Sequence, residues 1–343
     1  MKLPEKTHNK FIGDKNFYKM VLAIAVPIMI QNGITNFVSL LDNIMIGQIG
    51  TEQMSGVAIV NQLLFVYNLC LFGGVSGAGI FTAQYFGQKN QEGVRQTVRF
   101  KIWMVSLITL FTAILLLASG DSLISFYLQG DGTADSAAAT LHYGREYLQI
   151  MLPGLIPFML VQVYSSTLRE CGKTILPMKA GVIAVFVNLI LNYILIYGKF
   201  GAPALGVQGA AIATIISRFV ECAIVLVHTH RHSQENPFVQ GLYATLKVPG
   251  SLMIKIITKG MPLLLNETLW AAGTAMLTQC YSIRGLNVIA ALNISNTINN
   301  VFNIVFIALG ESVAIIVGQL LGAGKMDEAR DTDNKMIAFS VFS

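Results

Sequence analysis

Three carboxylate side chains inside long apolar stretches are the residues of this sequence best suited to chemistry. Asp42 lies in LLDNIMIGQIG, Glu267 in GMPLLLNETLW and Glu311 in ALGESVAII. Inserting an ionised carboxylate into hydrocarbon costs at least ~2.5 kcal/mol, so such residues usually face a protein interior or a water-filled cavity. Asp42 therefore requires a partner, and Glu267 and Glu311 are candidates for carrying protons.

Amide side chains at helical spacing could supply further oxygen ligands. Asn188 and Asn192 lie one helical turn apart in FVNLILNYILIYG. Side chains four residues apart are neighbours on a helix, so the two carbonyl oxygens can converge on one ion. Hard cations such as Na⁺ prefer oxygen ligands. The pair is therefore a candidate cation site.

A polar stripe precedes Asp42 on the same apolar stretch. At 100° per residue, the members of the stripe fall within about 80° of one another on a helix, and they are Gln31, Thr35, Ser39 and Asp42. Two roles remain open for the amide and the two hydroxyls. They can join helices through hydrogen bonds, as is common in membrane bundles, or line a cavity.

Asn61 and Asn68 share one face of the second apolar stretch, and the same spacing recurs at Asn296 and Asn303. Packing between helices is the favoured role, because an Asn side chain can find its partners across a helix interface. A polar cavity lining is the alternative.

Further polar residues lie inside later apolar stretches. Thr274 and Thr278 share nearly the same helical face as Glu267. Arg218 and Glu221 lie three residues apart near the inner end of the sixth stretch, where a local ion pair is expected.

The composition identifies the kind of element that must position these side chains. The chain is 54% hydrophobic and 12% charged, with a mean hydropathy of +0.61. A typical soluble domain is roughly 25% charged, so the sequence predicts an all-α polytopic membrane protein. Stretches of about 20 apolar residues cross ~30 Å of hydrocarbon as helices. The predicted spans are residues 18–46, 53–83, 100–118, 142–166, 176–198, 205–228, 255–283 and 288–320, with a ninth beginning at Met336.

The distribution of basic residues predicts the orientation. Alternate connecting segments carry 19 of the 23 Lys and Arg residues, and the opposite segments carry three. The positive-inside rule then places the N-terminus in the cytoplasm, with the protein in the cell membrane. Because the net charge of +5 follows this topology, we expect no nucleic-acid partner.

An internal repeat divides the chain. Displacing the sequence by 235 positions aligns Pro27 with Pro262, and six further identical pairs follow without a gap, among them Gln84 with Gln319 and Gly87 with Gly322. Both prolines lie inside predicted spans, where they permit helix bending. The predicted units are a leader (1–17), an N-terminal lobe of six spans (18–228), a cytoplasmic connector (229–254) and a partial C-terminal lobe (255–343). Because the second copy stops within its third span, we expect a truncated C-terminal lobe.

No nucleotide-binding loop, metalloprotease motif or nucleophile elbow is present in the sequence, so neither an enzyme nor a bound cofactor is expected.

Several motifs in order make the chain similar to the multidrug and toxic compound extrusion (MATE) family of cation-coupled exporters. They are LDNIMIGQIG, TAQYFGQKN, LRECGKTILPM, NLILNYILIYGKFGAPALGVQGAAIAT and VGQLLGAGKMDEA. The resemblance implies a fold of two six-helix lobes around a central cavity. It also implies that the chain exports organic, cationic or amphipathic compounds in exchange for Na⁺ or H⁺.

The resemblance further implies a cation site in the N-terminal lobe. The matching positions, which are also candidate Na⁺ ligands, are Asp42, Asn188, Asn192 and Thr214. Asn192 departs from the family pattern, which often has Asp there, and Glu267 matches an acidic residue carried by other members in the seventh helix. Expected partners are a small organic substrate, Na⁺ or H⁺, and the lipid bilayer, and a monomer is expected.

Two other functions remain open. A flippase for lipid-linked saccharides would place several cationic residues in its cavity to hold a pyrophosphate. A membrane assembly subunit without transport activity would use the polar stripes only to join helices, and it would tolerate replacement of Asp42.

Overall fold

The structure of the protein is a computed structural model that describes residues 11–128, 134–282 and 286–342. Within these ranges the chain is helical, and two short 3₁₀ turns, Leu152–Gly154 and Pro237–Val239, interrupt it. The α-helices are α1 (Lys15–Gly47), α2 (Thr51–Gly87), α3 (Gln91–Tyr127), α4 (Ala134–Met151), α5 (Leu155–Glu170), α6 (Ile175–Tyr197), α7 (Gly206–Arg231), α8 (Gly250–Ser282), α9 (Leu286–Gly322) and α10 (Met326–Phe342).

The helices extend beyond the apolar stretches from which the spans were predicted. α3 begins at Gln91 and ends at Tyr127, whereas hydropathy placed that span at 100–118. The predicted span 142–166 is two helices, because the 3₁₀ turn containing Pro153 separates α4 from α5. The predicted ninth span corresponds to α10, which begins at Met326, ten residues before the predicted Met336. Its first turns are polar and so carry no hydropathy signal. Hydropathy detects only the part of a helix that meets hydrocarbon.

Seven helical segments within the described residues are long and apolar enough to cross a membrane. Large apolar side chains cover the outside of the bundle, as on α3, where Leu107, Phe111 and Leu117 are 61%, 68% and 70% exposed. In water such an exposed apolar surface would favour aggregation, but the hydrocarbon of a bilayer solvates it. The protein is therefore a multi-pass membrane protein, as predicted.

The antiparallel pair α6 and α7 positions most of the candidate site. α6 ends at Tyr197, and the next residue, Gly198, has a φ of 66°, in the left-handed region favoured by glycine. The backbone of α7 then approaches α6 so closely that a Cβ on Gly209 would lie 2.6 Å from the carbonyl oxygen of Leu195. A glycine at this position lets the two helices carry their polar side chains into hydrogen-bond range.

α1 connects the two parts of the chain. Tyr197 at the end of α6 donates to the carbonyl of Met45 at 3.1 Å, which holds the C-terminal part of α1 against α6. Nearer its N-terminus, α1 buries Val21 and Ala25 against Leu309 of α9. Pro27 lies inside α1 between these contacts, as Pro262 lies inside α8.

The repeat-related helices α2 and α9 contact each other reciprocally. A Cβ on Gly87 would meet the carbonyl oxygen of Gln319, and a Cβ on Gly322 would meet that of Gln84, each at 2.0 Å. These four residues form two pairs of the internal repeat. Gly87 packs on Gln319, and its repeat equivalent Gly322 packs on Gln84, the repeat equivalent of Gln319. A two-fold axis between the repeats requires this reciprocal arrangement.

The segment between α7 and α8 is attached to the N-terminal helices. Arg99 of α3 donates to the carbonyl of Gly241 at 2.8 Å and to that of Leu242 at 3.0 Å. Trp103 donates to the carbonyl of Leu246 at 3.0 Å. The connector is therefore hydrogen-bonded to α3 as far as Leu246, close to the start of α8.

Candidate functional site

The carboxylate of Asp42 faces α6 and has an amide partner there. The Nδ2 atom of Asn192 donates to Oδ1 of Asp42 at 2.6 Å. Asn192 is only 1% exposed, and Asp42 is half-buried at the edge of a cavity. The intramembrane carboxylate therefore has a hydrogen-bond donor from a helix 150 residues away in the sequence.

The amide network continues from Asn192 to α7. Asn192 also donates to Oδ1 of Asn188 at 3.1 Å, and Nδ2 of Asn188 lies 3.3 Å from the hydroxyl of Thr214. The Thr214 hydroxyl donates to the carbonyl of Ala210 at 2.9 Å. The structure thus brings together Asp42, Asn188, Asn192 and Thr214 from three helices.

The Asn188 amide can take two orientations with opposite consequences. With its oxygen toward Asp42, this oxygen lies 3.1 and 3.2 Å from the two carboxylate oxygens, a repulsive arrangement unless a cation lies among them. When the amide is turned, its nitrogen donates to both carboxylate oxygens and its oxygen accepts from Thr214. The second orientation removes the repulsion with the carboxylate, and it gives up the hydrogen bond that Asn192 donates to Oδ1 of Asn188.

One oxygen of the cluster is left without a hydrogen-bond partner among the described residues. It is the buried Oδ1 atom of Asn192. A buried acceptor that lacks a partner pays its full desolvation cost, so such atoms in folded proteins usually indicate an unseen water or ion. The observation suits a site that can hold a small cation next to Asp42.

A cavity of about 330 Å³ adjoins the cluster. Aromatic, amide and aliphatic side chains from α1, α2, α4, α5, α6 and α7 surround it. Its polar and aromatic lining consists of Asp42, Asn61, Phe65, Tyr67, Asn68, Tyr147, Phe158, Asn192, Thr214 and Arg218. A cavity of this size, with aliphatic, aromatic and polar side chains in its wall, is within the size range of small-molecule sites.

The other residues predicted for the N-terminal lobe divide into two groups. Asn61 and Asn68 line the cavity, where Tyr147 donates to Oδ1 of Asn61 at 3.4 Å. Gln31 and Thr35 are not among its lining residues. The Thr35 hydroxyl donates to the backbone carbonyl of Gln31 at 2.8 Å. The side chain of Ser39 lies outside the described residues.

Most candidates in the second part of the chain are not placed. The side chains of Glu267, Thr274, Thr278 and Asn296 lie outside the described residues. Glu311, for which the sequence offered no basic partner in its own helix, lies 3.6 Å from Arg169 at the end of α5. This carboxylate therefore joins α9 to the N-terminal helices instead of lining the cavity beside Asp42.

Sequence reasoning placed two basic residues wrongly. Lys101 is one of the 19 basic residues assigned to connecting segments, at the edge of the predicted span 100–118, but it is completely buried in α3 and donates to Oε2 of Glu170 at 2.5 Å. Arg218 was placed near the inner end of its helix, but it lies halfway along α7 and lines the cavity. The expected pair with Glu221 is present at 3.3 Å. Arg218 had a recognisable signal, since it is the one basic residue outside both sets of connecting segments.

Comparison with known proteins agrees with the motifs and the fold. The MatE family model matches residues 27–194 and 262–343. A Thermotoga maritima protein named "Probable multidrug resistance protein NorM" is 31% identical over 90% of this chain. A Bacillus subtilis protein named "Probable multidrug resistance protein YoeA" is 24% identical over 89% of it. The chain spans 64% and 65% of the lengths of these two relatives.

Solved structures share the arrangement of helices. An outward-facing multidrug resistance MATE family transporter of the MOP superfamily superposes with a TM-score of 0.80 at 19% identity, covering 99% of this chain and 72% of the other. A MOP superfamily transporter from Pyrococcus furiosus gives 0.79 at 18% identity with the same coverage. These likenesses confirm the predicted all-α MATE-like fold. The family match shows that the chain belongs to the MatE family, whose members are transporters and not enzymes.

Proposed function

We propose that the protein is a secondary active antiporter that exports organic, cationic or amphipathic compounds in exchange for Na⁺ or H⁺. The observation that carries this proposal is the cluster in which Asp42 meets Asn188, Asn192 and Thr214 beside the cavity. The multidrug resistance names of the relatives support the substrate class. With this function, the basic end of the bundle, which includes the N-terminus, faces the cytoplasm of the cell.

A cation at Asp42 would be held by oxygens that are already present. The carboxylate supplies the charge, Asn188 turns its carbonyl toward the ion, and the unpartnered Oδ1 of Asn192 lies in the same cluster. When the cation leaves, the Asn188 amide turns back and donates to the carboxylate. The cluster thus offers a stable arrangement both with and without the ion, as a carrier that binds and releases it in each cycle requires.

Coupling arises when the ion and the substrate favour different conformations. Asp42 is on α1, which contains Pro27 and contacts both α6 and α9. The charge state of Asp42 therefore acts on a helix that touches both parts of the protein and can bend at Pro27. The coupling can be only as large as the differential affinity of each ligand for the two conformations.

The flippase alternative receives less support from the cavity. A pyrophosphate carrier needs several cationic side chains, whereas Arg218 is the single Lys or Arg that lines this cavity in the described part of the chain. The carboxylate of Asp42 in the same cavity would repel a pyrophosphate. The assembly-subunit alternative predicts no transport at all.

Efflux of a cationic dye from vesicles that contain the protein, under an imposed Na⁺ or H⁺ gradient, tests the proposal. We expect gradient-driven efflux in the parent protein and its loss in Asp42→Asn, which keeps the size of the side chain and removes its charge. Asp121→Asn is a matched control, because Asp121 is half-exposed and pairs with Arg145 away from the cavity. Normal efflux by Asp42→Asn would refute the proposal, and the ion that drives the parent identifies the coupling.

A further inference from the structure

Arg218 lies in the cavity beside the cation cluster. It is on α7 one turn after Thr214, so the two side chains share a face of the helix. Its side chain is 35% exposed, and both residues line the same cavity as Asp42. A positive charge in the cavity of a cation-binding protein would lower cation affinity, so its presence requires a reason.

The guanidinium is held on two sides and open on a third. Its Nη1 atom donates to Oε2 of Glu221 at 3.3 Å, and its Cζ lies 4.8 Å from the centre of the Phe158 ring. The Glu221 side chain is only 7% exposed, so its charge depends on this partner. The remaining face of Arg218 lines the cavity of about 330 Å³ whose lining also includes Asp42.

Two carboxylates therefore compete for one guanidinium. Glu221 accepts a hydrogen bond from Arg218, and Asp42 lines the same cavity as Arg218. In the described part of the chain, the other titratable side chains of the cavity wall are Tyr67 of α2 and Tyr147 of α4. Both tyrosines are neutral in their ordinary state, so the balance of charge in the cavity is set by Asp42, Arg218 and Glu221.

We propose that Arg218 is a tethered counter-cation of the ion site, which stabilises Asp42 when the site is empty and competes with the coupling cation for it. When the cation binds Asp42, the guanidinium is repelled toward Glu221, which can neutralise it fully. Release of the cation restores the attraction. The arrangement keeps the cavity free of an unbalanced buried charge in both halves of the cycle, and it limits affinity so that the cation can leave.

This inference rests on the proposed cation site at Asp42, and it adds a residue that sets the affinity of that site. Two opposite changes follow from it. Arg218→Gln removes the competitor, so we expect the affinity of Asp42 for its cation to rise about tenfold. Glu221→Gln removes the alternative partner of Arg218, so we expect the affinity to fall several-fold. Arg218→Lys keeps the charge and is expected to remain close to the parent.

Cation binding to the purified chain in detergent tests the inference. Binding of ²²Na⁺ gives the affinity for Na⁺, and infrared titration of the carboxyl band gives the proton affinity, with Asp42→Asn subtracted to isolate the contribution of Asp42. The expected result is a shift in opposite directions for Arg218→Gln and Glu221→Gln, for whichever cation binds. A general loss of folding would weaken binding in both variants and could not produce this pattern.

Two other results have distinct meanings. If the parent shows cation binding that depends on Asp42 but Arg218→Gln leaves the affinity unchanged, the inference is refuted while the proposed function stands. If the parent shows no Asp42-dependent binding of Na⁺ or H⁺, the proposed cation site fails, and the role of Arg218 fails with it.

Discussion

The buried ion pair between Lys101 of α3 and Glu170 of α5 gives the most direct test of the structure. Lys101 is completely buried, and its Nζ atom donates to Glu170 at 2.5 Å, to Ser166 at 3.2 Å and to Thr167 at 3.4 Å. Removing one partner of a buried pair leaves an uncompensated charge, and this costs about 3–5 kcal/mol in measured cases. We predict that Glu170→Gln destabilises the protein more than any surface carboxylate change.

The hydroxyl groups of Ser166 and Thr167 limit the loss of stability caused by Glu170→Gln. Ser166 and Thr167 still accept from Lys101 after Glu170→Gln, so the loss should lie near the lower limit, about 3 kcal/mol. Lys101→Met with Glu170→Gln removes the buried charge as well, and the double variant should recover most of this loss because an uncharged pair has a smaller desolvation cost. The hydrogen bond from the side-chain Nε2 atom of Gln319 to the backbone carbonyl of Glu170, 2.7 Å long, is retained in both variants.

Thermal unfolding in detergent, followed by intrinsic fluorescence, measures both effects. Glu328→Gln provides the control, because Glu328 and its partner Lys325 are 60% and 54% exposed on the surface of α10. We expect a clear fall in the melting temperature for Glu170→Gln, little change for Glu328→Gln, and recovery in the double variant. A double variant less stable than Glu170→Gln alone would refute the reasoning, because it would show that the lysine charge is not the source of the loss.

Two further predictions concern helix contacts. Gly209→Ala should lower stability by about 1–3 kcal/mol and weaken cation binding, because its Cβ would lie 2.6 Å from a carbonyl oxygen of α6. Gly310→Ala is the control: a Cβ there has nothing within 4 Å, so the melting temperature should be nearly unchanged. If both variants melt alike, the close approach of α6 and α7 is wrong. Arg169→Gln and Glu311→Gln, across the 3.6 Å contact of α5 with α9, should show a coupling energy of about 0.5–3 kcal/mol in a double-mutant thermal cycle. A coupling of zero would mean that this ion pair does not hold the two parts together.

Within the candidate site, the sequence predicted residue types better than partners. The sequence identified Asp42, Asn188 and Asn192, because an intramembrane carboxylate and two amides one helical turn apart favour a functional role. Gln31 and Thr35 satisfied the same helical periodicity as Asp42, yet they do not line the cavity. A helical face identifies which residues share a direction, but it does not identify the neighbour that this direction meets.

Two basic residues also show that a sequence pattern does not identify the surroundings of a side chain. Lys101 is buried in a helix and depends on Glu170, a carboxylate 69 residues away that no local pattern links to it. Arg218 forms the local pair with Glu221 that its spacing predicts, but this spacing does not reveal that Arg218 lines a cavity. Counting charges by segment assigned Lys101 to a connector, because hydropathy places the end of a helix where the apolar residues end. α3 continues for nine residues beyond that point, since its backbone hydrogen bonds need no apolar side chains.

The sequence alone determined the membrane location, the helical class, the internal repeat and the family, because these depend on composition, on periodicity and on motifs that are local in the chain. The tertiary structure alone decided which polar groups meet. Asp42 reaches Asn192 across 150 residues, Glu311 reaches Arg169 across α9 and α5, and Arg218 lines the same cavity as Asp42. Such contacts depend on how closely helices approach and how they rotate about their axes, and these are fixed by packing over the whole bundle.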